Sequence, residues 1–356
     1  MEQIDKVQKD LQKKLLQWYD EHKRDMPWRA HGGRSPDPYH IWLSEIMLQQ
    51  TTVAAVTPYF EKFTTRWPSV YDLAKASHDE VMSMWAGLGY YARARNLHKC
   101  AKMIVVEYEG EFPRQVEGLL KLPGIGPYTA AAIASIAFNV PVIAVDGNVE
   151  RVTARFFNIT DPMPRSKPML KGLAESLGQD STRPADMTQA FMELGATICT
   201  PKSPKCFLCP WRGDCEALQQ GNVEKLPYIE KKKAKPKRNG DVFWIVNTKG
   251  QVLVRKRNVN GLLGGMVEFP SLGWSDSQPG DDVLLEFIQN NSEVSIFPNA
   301  IRHVFTHFEL SLNVKLFQKA QNDFNQCFQW VDVREFEGLA FPSLMQKVKS
   351  FILKTV

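Results

Sequence analysis

The chain has 356 residues, a net charge of +5 at pH 7 and a hydrophobic content of 44%. This composition excludes an intrinsically disordered protein and a small disulfide-bonded scaffold, and at roughly 100–200 residues per domain the length predicts two or three compact units. The longest apolar stretch is interrupted by Asn139 and Pro141, and the start of the chain is too polar for a secretion signal. We therefore expect a soluble, cytoplasmic protein with a mild bias toward polyanions.

Helical periodicity dominates the first part of the chain, up to about residue 215. The first amphipathic helix has apolar residues at helical spacing, namely Ile4, Val7, Leu11, Leu15 and Trp18. Clusters of Pro and Gly, among them Gly32-Gly33, interrupt this periodicity and predict about ten helices with short connections. We predict an all-helical first domain over residues 1–225.

A basic run separates this part from the rest. Residues 230–240 carry six positive charges and one negative, with almost nothing to bury, which is typical of a linker. After the run, apolar and polar residues alternate, which predicts strands, as at Val242, Trp244 and Val246. Helical patterns follow around residues 282–290 and after Pro342. We therefore predict a linker over 226–240 and an α+β second domain over 241–356.

Four cysteines lie close together near the end of the helical part: Cys199, Cys206, Cys209 and Cys215. A cytosolic chain does not keep such thiols as disulfides, so the cluster predicts metal ligation. Only one pair has the two-residue spacing of a zinc knuckle, and the uneven spacings of six, two and five residues favour a 4Fe–4S cluster. Zinc and unligated thiols are the alternatives. The basic residues between the ligands either face a polyanion or only keep the loop soluble; they are Lys202, Lys205 and Arg212.

A glycine-rich turn at residues 122–129 connects two helical stretches. Gly124 and Gly126 allow the backbone to approach a partner closely, and Pro127 suits the first residue of the second helix. The amides of such a turn form a phosphate site that does not depend on base sequence. A turn of this kind can also be purely structural.

The turn, residues 145–149 (VDGNV) and the four-cysteine spacing, in that order, resemble the helix-hairpin-helix DNA glycosylases of the endonuclease III type. This resemblance covers roughly residues 1–225. Residues 44–51 (SEIMLQQT) and 87–95 (GLGYYARAR) resemble one branch of that superfamily, the adenine DNA glycosylases of the MutY type. The resemblance implies a helical glycosylase fold, a 4Fe–4S cofactor and double-stranded DNA as the partner.

Two carboxylates are candidates for the chemistry. Asp146 follows an apolar run and precedes a helical pattern, so it is expected to be a helix N-cap. The resemblance implies that this charged carboxylate also stabilises the oxocarbenium-like sugar or traps it covalently. A glutamate on a helix is ordinarily solvated, but Glu45 lies among large apolar residues, where desolvation raises the pKa of a carboxyl toward neutrality. The resemblance implies that Glu45 protonates N7 of an extruded adenine.

The remaining residues of the site follow from the resemblance. Tyr128 occupies the position at which strand-cleaving members carry a Schiff-base lysine, so the base is hydrolysed and the sugar–phosphate stays intact. Tyr128 and Asn148 are implied to support the aspartate, and the adenine pocket is implied to contain Arg29, Leu48 and Gln189. The residues implied to fill the gap left by the extruded base are Gln50, Thr51, Leu88 and Tyr90. Without the resemblance, Leu88 and Tyr90 are loop residues at the edge of a core, and Gln50 ends a helix.

Residues 241–356 resemble the C-terminal domain of the same enzymes, which has a Nudix fold and reads 8-oxoguanine. The support lies in residues 253–257, 261–270 and 305–307. A working Nudix hydrolase needs a glutamate-rich, metal-binding helix, and residues 271–297 contain none, so we do not expect pyrophosphatase activity. The implied recognition residues are Phe305, Thr306 and His307, with threonine where the family usually has serine. They can equally begin the strand that continues to Leu316.

The sequence thus predicts an enzyme that removes adenine mispaired with 8-oxoguanine, and less selectively with guanine, without nicking the strand. We expect a monomer that does not bind a membrane and that lies at the nucleoid if the source is bacterial. One alternative is a pyrimidine or mismatch glycosylase of the same fold. A nucleotide pyrophosphatase fused to a DNA-binding module is another, and a non-catalytic sensor of damaged duplexes is the third.

Overall fold

The computed structural model describes residues 2–30, 35–230, 234–292, 295–320, 324 and 327–355. The helix breaker predicted at Gly32-Gly33 and the three lysines at positions 231–233 of the predicted linker lie outside these residues. No helix in the described part of the chain is both long and apolar enough to cross a membrane.

The chain divides into two compact units. The first comprises Met1–Lys75 and Lys99–Lys232, and the second comprises Ala76–His98 and Lys233–Val356. A stretch of the helical part of the sequence therefore groups with the C-terminal unit. The limits assigned above to the helical domain, the linker and the second domain stay predictions.

Helices dominate the described chain up to residue 225, as the periodicity predicted. They are α1 (Glu2–His22), α2 (Pro38–Leu48), α3 (Val53–Arg66), α4 (Val70–Lys75), α5 (His78–Met84), α6 (Ala92–Glu107), α7 (Val116–Leu119), α8 (Pro127–Phe138), α9 (Gly147–Phe156), α10 (Lys167–Gly178), α11 (Pro184–Thr197) and α12 (Glu216–Gln219). Short 3-10 turns at Cys206–Leu208 and Val223–Lys225 complete this part. The described residues hold a few more helices than the ten or so that the sequence predicted.

The helices that carry the site begin at recognisable caps. Asp37 caps α2, and its carboxylate accepts a hydrogen bond from the Tyr39 amide at 2.8 Å. Pro127 is the first residue of α8, where its missing N–H needs no partner, and Asn139 ends that helix with a left-handed φ of 56°. Asp146 caps α9. The local sequence therefore determines where these three helices start.

Two helices of the first unit are apolar on nearly all sides. α2 has eight buried residues and α8 has seven, and the two helices pack against each other. α11 packs against α1, α8 and α9, and α9 packs against α10. A helix without a polar face is a buried helix. An acidic residue at one of the buried positions of α2 is therefore removed from water.

The described residues of the second unit form a mixed sheet. Its strands are β1 (Lys237–Asn247), β2 (Val252–Lys256), β3 (Val267–Glu268), β4 (Ser271–Leu272), β5 (Ser295–Val304), β6 (Glu309–Ala320) and β7 (Phe328–Val331). The order is β3-β2-β1-β6-β5, and β4 pairs with β1 and β7 with β2. β1 and β6 run parallel, and the other pairs are antiparallel. The accompanying helices after residue 240 are α13 (Asp281–Asn290) and α14 (Ser343–Thr355).

Side chains of β1 alternate between the two faces of the sheet. Val242 and Trp244 belong to an apolar core with α14, whereas Phe243 and Ile245 belong to another core with α13. This arrangement confirms the predicted alternation and the α+β architecture. β1 begins at Lys237, so the last residues of the predicted linker are part of the sheet.

A buried charge cluster occupies the segment that resembles a Nudix domain. Glu268 is fully buried and accepts hydrogen bonds from Arg255 Nε at 2.8 Å, from Arg257, and from the Ser271 hydroxyl at 3.1 Å. Both of its carboxylate oxygens therefore bind protein donors. A buried, fully hydrogen-bonded ion group of this kind helps to fix the packing of the strands around it.

Candidate active site

A cavity of about 760 Å³ in the first unit is lined by residues of α2, α8, α9 and α11. The predicted site residues that line it come from five separate stretches of the sequence: Arg29, Glu45, Leu48, Gln50, Thr51, Tyr128, Asp146, Asn148 and Gln189. The two carboxylates that the sequence singled out therefore face one space. Its volume lies within the range of small-molecule sites, so it can hold a nucleobase with its sugar.

Glu45 lies on α2 with only 7% of its surface exposed. Its Oε2 accepts a hydrogen bond from the Tyr128 hydroxyl at 2.9 Å. Burial raises the pKa of Glu45 from 4.5 to about 7; the hydrogen bond from Tyr128 opposes this shift, and the negative charge of Asp146 adds to it. Glu45 can therefore hold a proton near neutral pH. The apolar sequence of α2 predicted this burial correctly.

Asp146 caps α9, and its carboxylate accepts three hydrogen bonds. Oδ1 accepts from the backbone amides of Asn148 at 2.9 Å and Val149 at 2.8 Å, and Oδ2 accepts from the Asn148 side chain at 2.7 Å. Burial raises the pKa of Asp146 above its usual 3.8, while these bonds and Arg151 act in the opposite direction. The predicted cap is confirmed, whereas the sequence did not indicate the burial. Donors at both oxygens favour the charged form.

Arg151 fixes the orientation of Asn148. Its Nη2 donates to Asn148 Oδ1 at 2.8 Å and to the Gly195 carbonyl at 2.7 Å, while its Nε donates to the Cys199 carbonyl at 2.8 Å. α11 comes this close to α9 because Gly195 has no side chain; a Cβ there would lie 2.6 Å from Asn148 Cβ. The side-chain amide of Asn148 is thereby held toward Asp146. Sequence analysis missed Arg151, because two of its partners, Gly195 and Cys199, lie on a distant segment. Its three-residue spacing from Asn148 is the local signal that could have identified it.

The α11 wall of the cavity carries a charged group that sequence analysis also missed. Glu193 is buried and pairs with Arg24 and with Arg29, whose Nη2 lies 2.7 Å from Glu193 Oε2. Arg29 also donates to the Arg24 carbonyl at 2.6 Å. Gln189 lies one turn before Glu193 on the same face of α11, and both line the cavity. That spacing is the signal that could have identified Glu193.

The predicted phosphate-binding turn precedes α8. Gly124 has a φ of 80°, which residues with side chains rarely adopt, and Gly126 is the N-cap of α8 and supplies no capping side chain. Both glycines are exposed. The turn is therefore accessible to a partner, and the phosphate contact stays a prediction.

The loop of residues 199–215 brings its four cysteines around a small cavity together with Arg155 and Arg212. Arg155 Nη1 lies 3.4 Å from Cys199 Sγ, where its charge can balance a thiolate. Among the described residues, no three His, Cys, Asp or Glu side chains are arranged to hold one metal ion. A single zinc ion needs its ligands at about 2.0–2.3 Å from one centre, whereas a 4Fe–4S cluster is a larger body held by four thiolates. Four cysteine thiols around one cavity are the ligand set that a 4Fe–4S cluster requires.

The second unit carries the other predicted residues. Tyr90 is exposed, and its hydroxyl lies 3.2 Å from that of Thr306. Thr306 and His307 are exposed at the turn between β5 and β6, beside the half-buried Phe305. Leu88, in contrast, is only 7% exposed. The structure thus brings Tyr90 next to the predicted recognition residues, while Leu88 has the burial of a residue at the edge of a core.

Both parts of the chain are similar to known protein families. Residues 43–177 match the HhH-GPD superfamily of base excision DNA repair proteins, and residues 241–350 match the NUDIX domain. The adenine DNA glycosylase of Homo sapiens is 36% identical over 94% of this chain and 72% of its own length. The chain belongs to the adenine DNA glycosylase family. A second member of the family, from Buchnera aphidicola subsp. Schizaphis graminum, is 31% identical over 94% of this chain and 96% of its own length.

Solved structures of other glycosylases share the fold of about three fifths of this chain. A thermostable thymine-DNA glycosylase matches 61% of this chain and 99% of its own, with a TM-score of 0.54 and 30% identity. An endonuclease III in a non-covalent DNA complex matches 60% of this chain and 97% of its own, with a TM-score of 0.50 and 25% identity. The predicted helix-hairpin-helix fold, the Nudix-like domain and the membership in the adenine DNA glycosylases are therefore confirmed. The family consists of hydrolases that act on N-glycosyl bonds in base excision repair.

The burial of Glu45 predicts a pH-dependent stability. Well below pH 4.5 the carboxyl is protonated in the folded and the unfolded chain, so it does not oppose folding. Between pH 4.5 and about 7 the unfolded chain ionises first, so stability falls as pH rises. This shift corresponds to about 3 kcal/mol. We expect Glu45→Gln to remove that loss and to raise the Tm near pH 8 but not near pH 4, measured by thermal denaturation.

The exposed Glu61 on α3 supplies the matched control. Glu61→Gln should leave the Tm unchanged at both pH values. An equal change in Tm for Glu45→Gln near pH 4 and near pH 8 would contradict a raised pKa at Glu45.

Proposed function

We propose that the protein removes adenine mispaired with 8-oxoguanine, and less selectively with guanine, from double-stranded DNA by hydrolysis of the N-glycosidic bond. The observation that carries this proposal is the single cavity that holds Glu45, with a pKa of about 7, and Asp146, whose two oxygens accept hydrogen bonds that favour its charge. One carboxyl can donate a proton while the other stabilises a cation. The names of the curated relatives and the DNA complex of the matched endonuclease III support this substrate class.

The reaction begins with the proton of Glu45. Its transfer to N7 of the extruded adenine lets the base leave as a neutral molecule when the C1′–N9 bond breaks. The Tyr128 hydroxyl, 2.9 Å from Glu45 Oε2, then stabilises the glutamate anion that has formed. Asp146 stabilises the oxocarbenium-like sugar until water adds to C1′ and releases a proton. The proton released by water balances the one that adenine carried away.

The strand stays intact in this proposal. Cleavage of the strand by the Schiff-base route needs an uncharged amine that attacks C1′. Tyr128 lies where strand-cleaving relatives are expected to have that amine. Among the described residues that line the cavity, the one lysine is Lys167, and it is ion-paired with Glu150 at 2.7 Å. An ammonium in an ion pair has no free electron pair for the attack.

We further infer a resident 4Fe–4S cluster in the loop of residues 199–215. The residues that would hold it are Cys199, Cys206, Cys209 and Cys215. Bound there, the cluster would supply a rigid centre that orders the loop. The basic residues of the loop, Lys202, Lys205 and Arg212, are exposed. In an ordered loop they would face DNA phosphates from a rigid surface.

DNA binding and lesion recognition are assigned to the remaining predicted residues. The turn with Gly124 and Gly126 contacts phosphates, Gln50 and Thr51 lie at the cavity, and Tyr90 wedges into the stack. Leu88 would have to leave its buried position to take part. The residues that read 8-oxoguanine are Phe305, Thr306 and His307. We propose that the protein acts as a monomer in the cytoplasm, at the nucleoid if the source is bacterial.

The acid function of Glu45 predicts a defined pH profile. Activity needs the protonated carboxyl, so the single-turnover rate on an adenine:8-oxoguanine duplex should fall as pH rises through about 7. The Tyr128 hydrogen bond lowers the pKa of Glu45, so Tyr128→Phe should move the falling limb to higher pH. Glu45→Gln should lose about 100-fold or more in rate, since a general acid typically contributes that much.

Glu61→Gln, exposed on α3, is the control and should keep the wild-type profile. A Glu45→Gln variant with wild-type rates would refute the acid function. Release of a pyrimidine instead of adenine, or strand nicking by the wild type, would favour the rival glycosylase.

The hydroxyl of Thr306 predicts discrimination between 8-oxoguanine and guanine. Thr306→Val keeps the shape of the side chain and removes the hydroxyl that lies 3.2 Å from Tyr90. A lost hydrogen bond of about 1 kcal/mol should lower the preference for 8-oxoguanine roughly fivefold. Thr306→Ser should retain it. The measurement is the ratio of single-turnover rates on the two mispairs, and an unchanged ratio in Thr306→Val would exclude Thr306 from recognition.

A further inference from the structure

The cavity has an uneven distribution of charge. Among the described residues that line it, the basic ones are Arg24, Arg29 and Lys167, and the acidic ones are Glu45, Asp146, Glu150 and Glu193. Arg24 and Arg29 both pair with Glu193 on the α11 side. The α9 side therefore has two carboxylates, Asp146 and Glu150, and one cation, Lys167.

Lys167 and Glu150 differ in how far they are buried. The Glu150 side chain is 13% exposed, whereas that of Lys167 is 51% exposed, and their charged atoms lie 2.7 Å apart. Glu150 follows Asp146, the N-cap of α9, by four residues or about one turn, roughly 6 Å along the helix axis. The ammonium thus pairs with a carboxylate one helical turn from Asp146 and lines the same cavity, and half of the Lys167 side chain is open to solvent.

An extruded nucleotide stays attached to the strand through two phosphodiesters. If its sugar lies at Asp146, a phosphodiester must come close to the α9 side, where two carboxylates would repel it. Lys167 can offset that repulsion, because a half-exposed ammonium can turn from one oxyanion to another at little cost in desolvation. No other residue on that side of the described cavity lining carries a positive charge. Arg151 of α9 is outside the lining, and its guanidinium is already bound to Asn148 and to backbone carbonyls.

We propose that Lys167 binds a phosphodiester of the extruded nucleotide, and that Glu150 holds the ammonium in place until the DNA arrives. This inference rests on the proposed function, since it needs a nucleotide extruded into this cavity. It adds a phosphate contact that exists only in the extruded state. The phosphate contacts proposed above for the turn before α8 and for the cysteine loop involve the duplex in either state.

The test compares two short duplexes of the same sequence. One carries a tetrahydrofuran abasic analogue opposite 8-oxoguanine, and the other is undamaged. For the full-length protein, log Kobs is measured against log salt concentration with each duplex. We expect Lys167→Gln to weaken binding of the lesion duplex about tenfold and to lower its salt slope by about one. Binding of the undamaged duplex should not change.

Three further variants separate this proposal from a purely structural ion pair between α9 and α10. Glu150→Gln releases Lys167 and removes a repelling charge, so it should tighten binding of the lesion duplex. Lys167→Arg should retain the wild-type slope, which also guards against a Lys167→Gln variant that folds poorly. Lys171 on the same helix, 60% exposed and paired with Glu175, is the control, and Lys171→Gln should behave as wild type.

Equal losses on both duplexes, the same loss in Lys171→Gln, or weaker binding in Glu150→Gln would overturn the proposal. Adenine release by the wild type is measured in parallel. If the wild type releases adenine but Lys167→Gln keeps the wild-type slope, this inference alone has failed. If the wild type releases no adenine, the proposed function has failed.

Discussion

The removal of one carboxyl group from water is the interaction on which the site depends. α2 is apolar on nearly all sides and packs against α8, which is equally apolar. Glu45 is carried into this packing, and its pKa rises to about 7. A solvated glutamate would be ionised at neutral pH and could not act as an acid. The burial of Glu45 opposes folding above pH 4.5, and the proposed function uses that same burial to keep a proton on the carboxyl. Such a cost in stability is common at functional sites.

The two carboxyls of the cavity, Glu45 and Asp146, have different surroundings. Asp146 sits at the start of α9, where two backbone amides and the side chain of Asn148 donate to it. Arg151 holds Asn148 in that orientation. Two carboxyls in one cavity that have different hydrogen-bond donors can be in different protonation states at the same pH. The ion pairs on the two walls of the cavity also differ. On the α11 wall Glu193 pairs with Arg24 and Arg29, and on the α9 wall Glu150 pairs with Lys167.

The sequence predicted what is encoded locally. The cap at Asp146, the apolar surroundings of Glu45 and the alternation along β1 each follow from neighbouring residues, and the structure has all three. Long-range partners were not predictable. Glu193 binds Arg24 across 169 positions, and Arg151 reaches the Cys199 carbonyl. Lys237 looked like part of a charged linker, yet it pairs with Glu309 of β6, so tertiary pairing overrides the local composition.

Substitution of a single atom in the substrate isolates the proposed proton transfer from Glu45. In 7-deazaadenine a carbon replaces N7, so Glu45 has no ring nitrogen there to protonate, while the shape of the base is kept. Single-turnover excision from duplexes with adenine or 7-deazaadenine opposite 8-oxoguanine is compared near pH 7. We expect similar binding of both duplexes and a rate that is about 100-fold or more lower for 7-deazaadenine. Equal rates would contradict proton donation by Glu45.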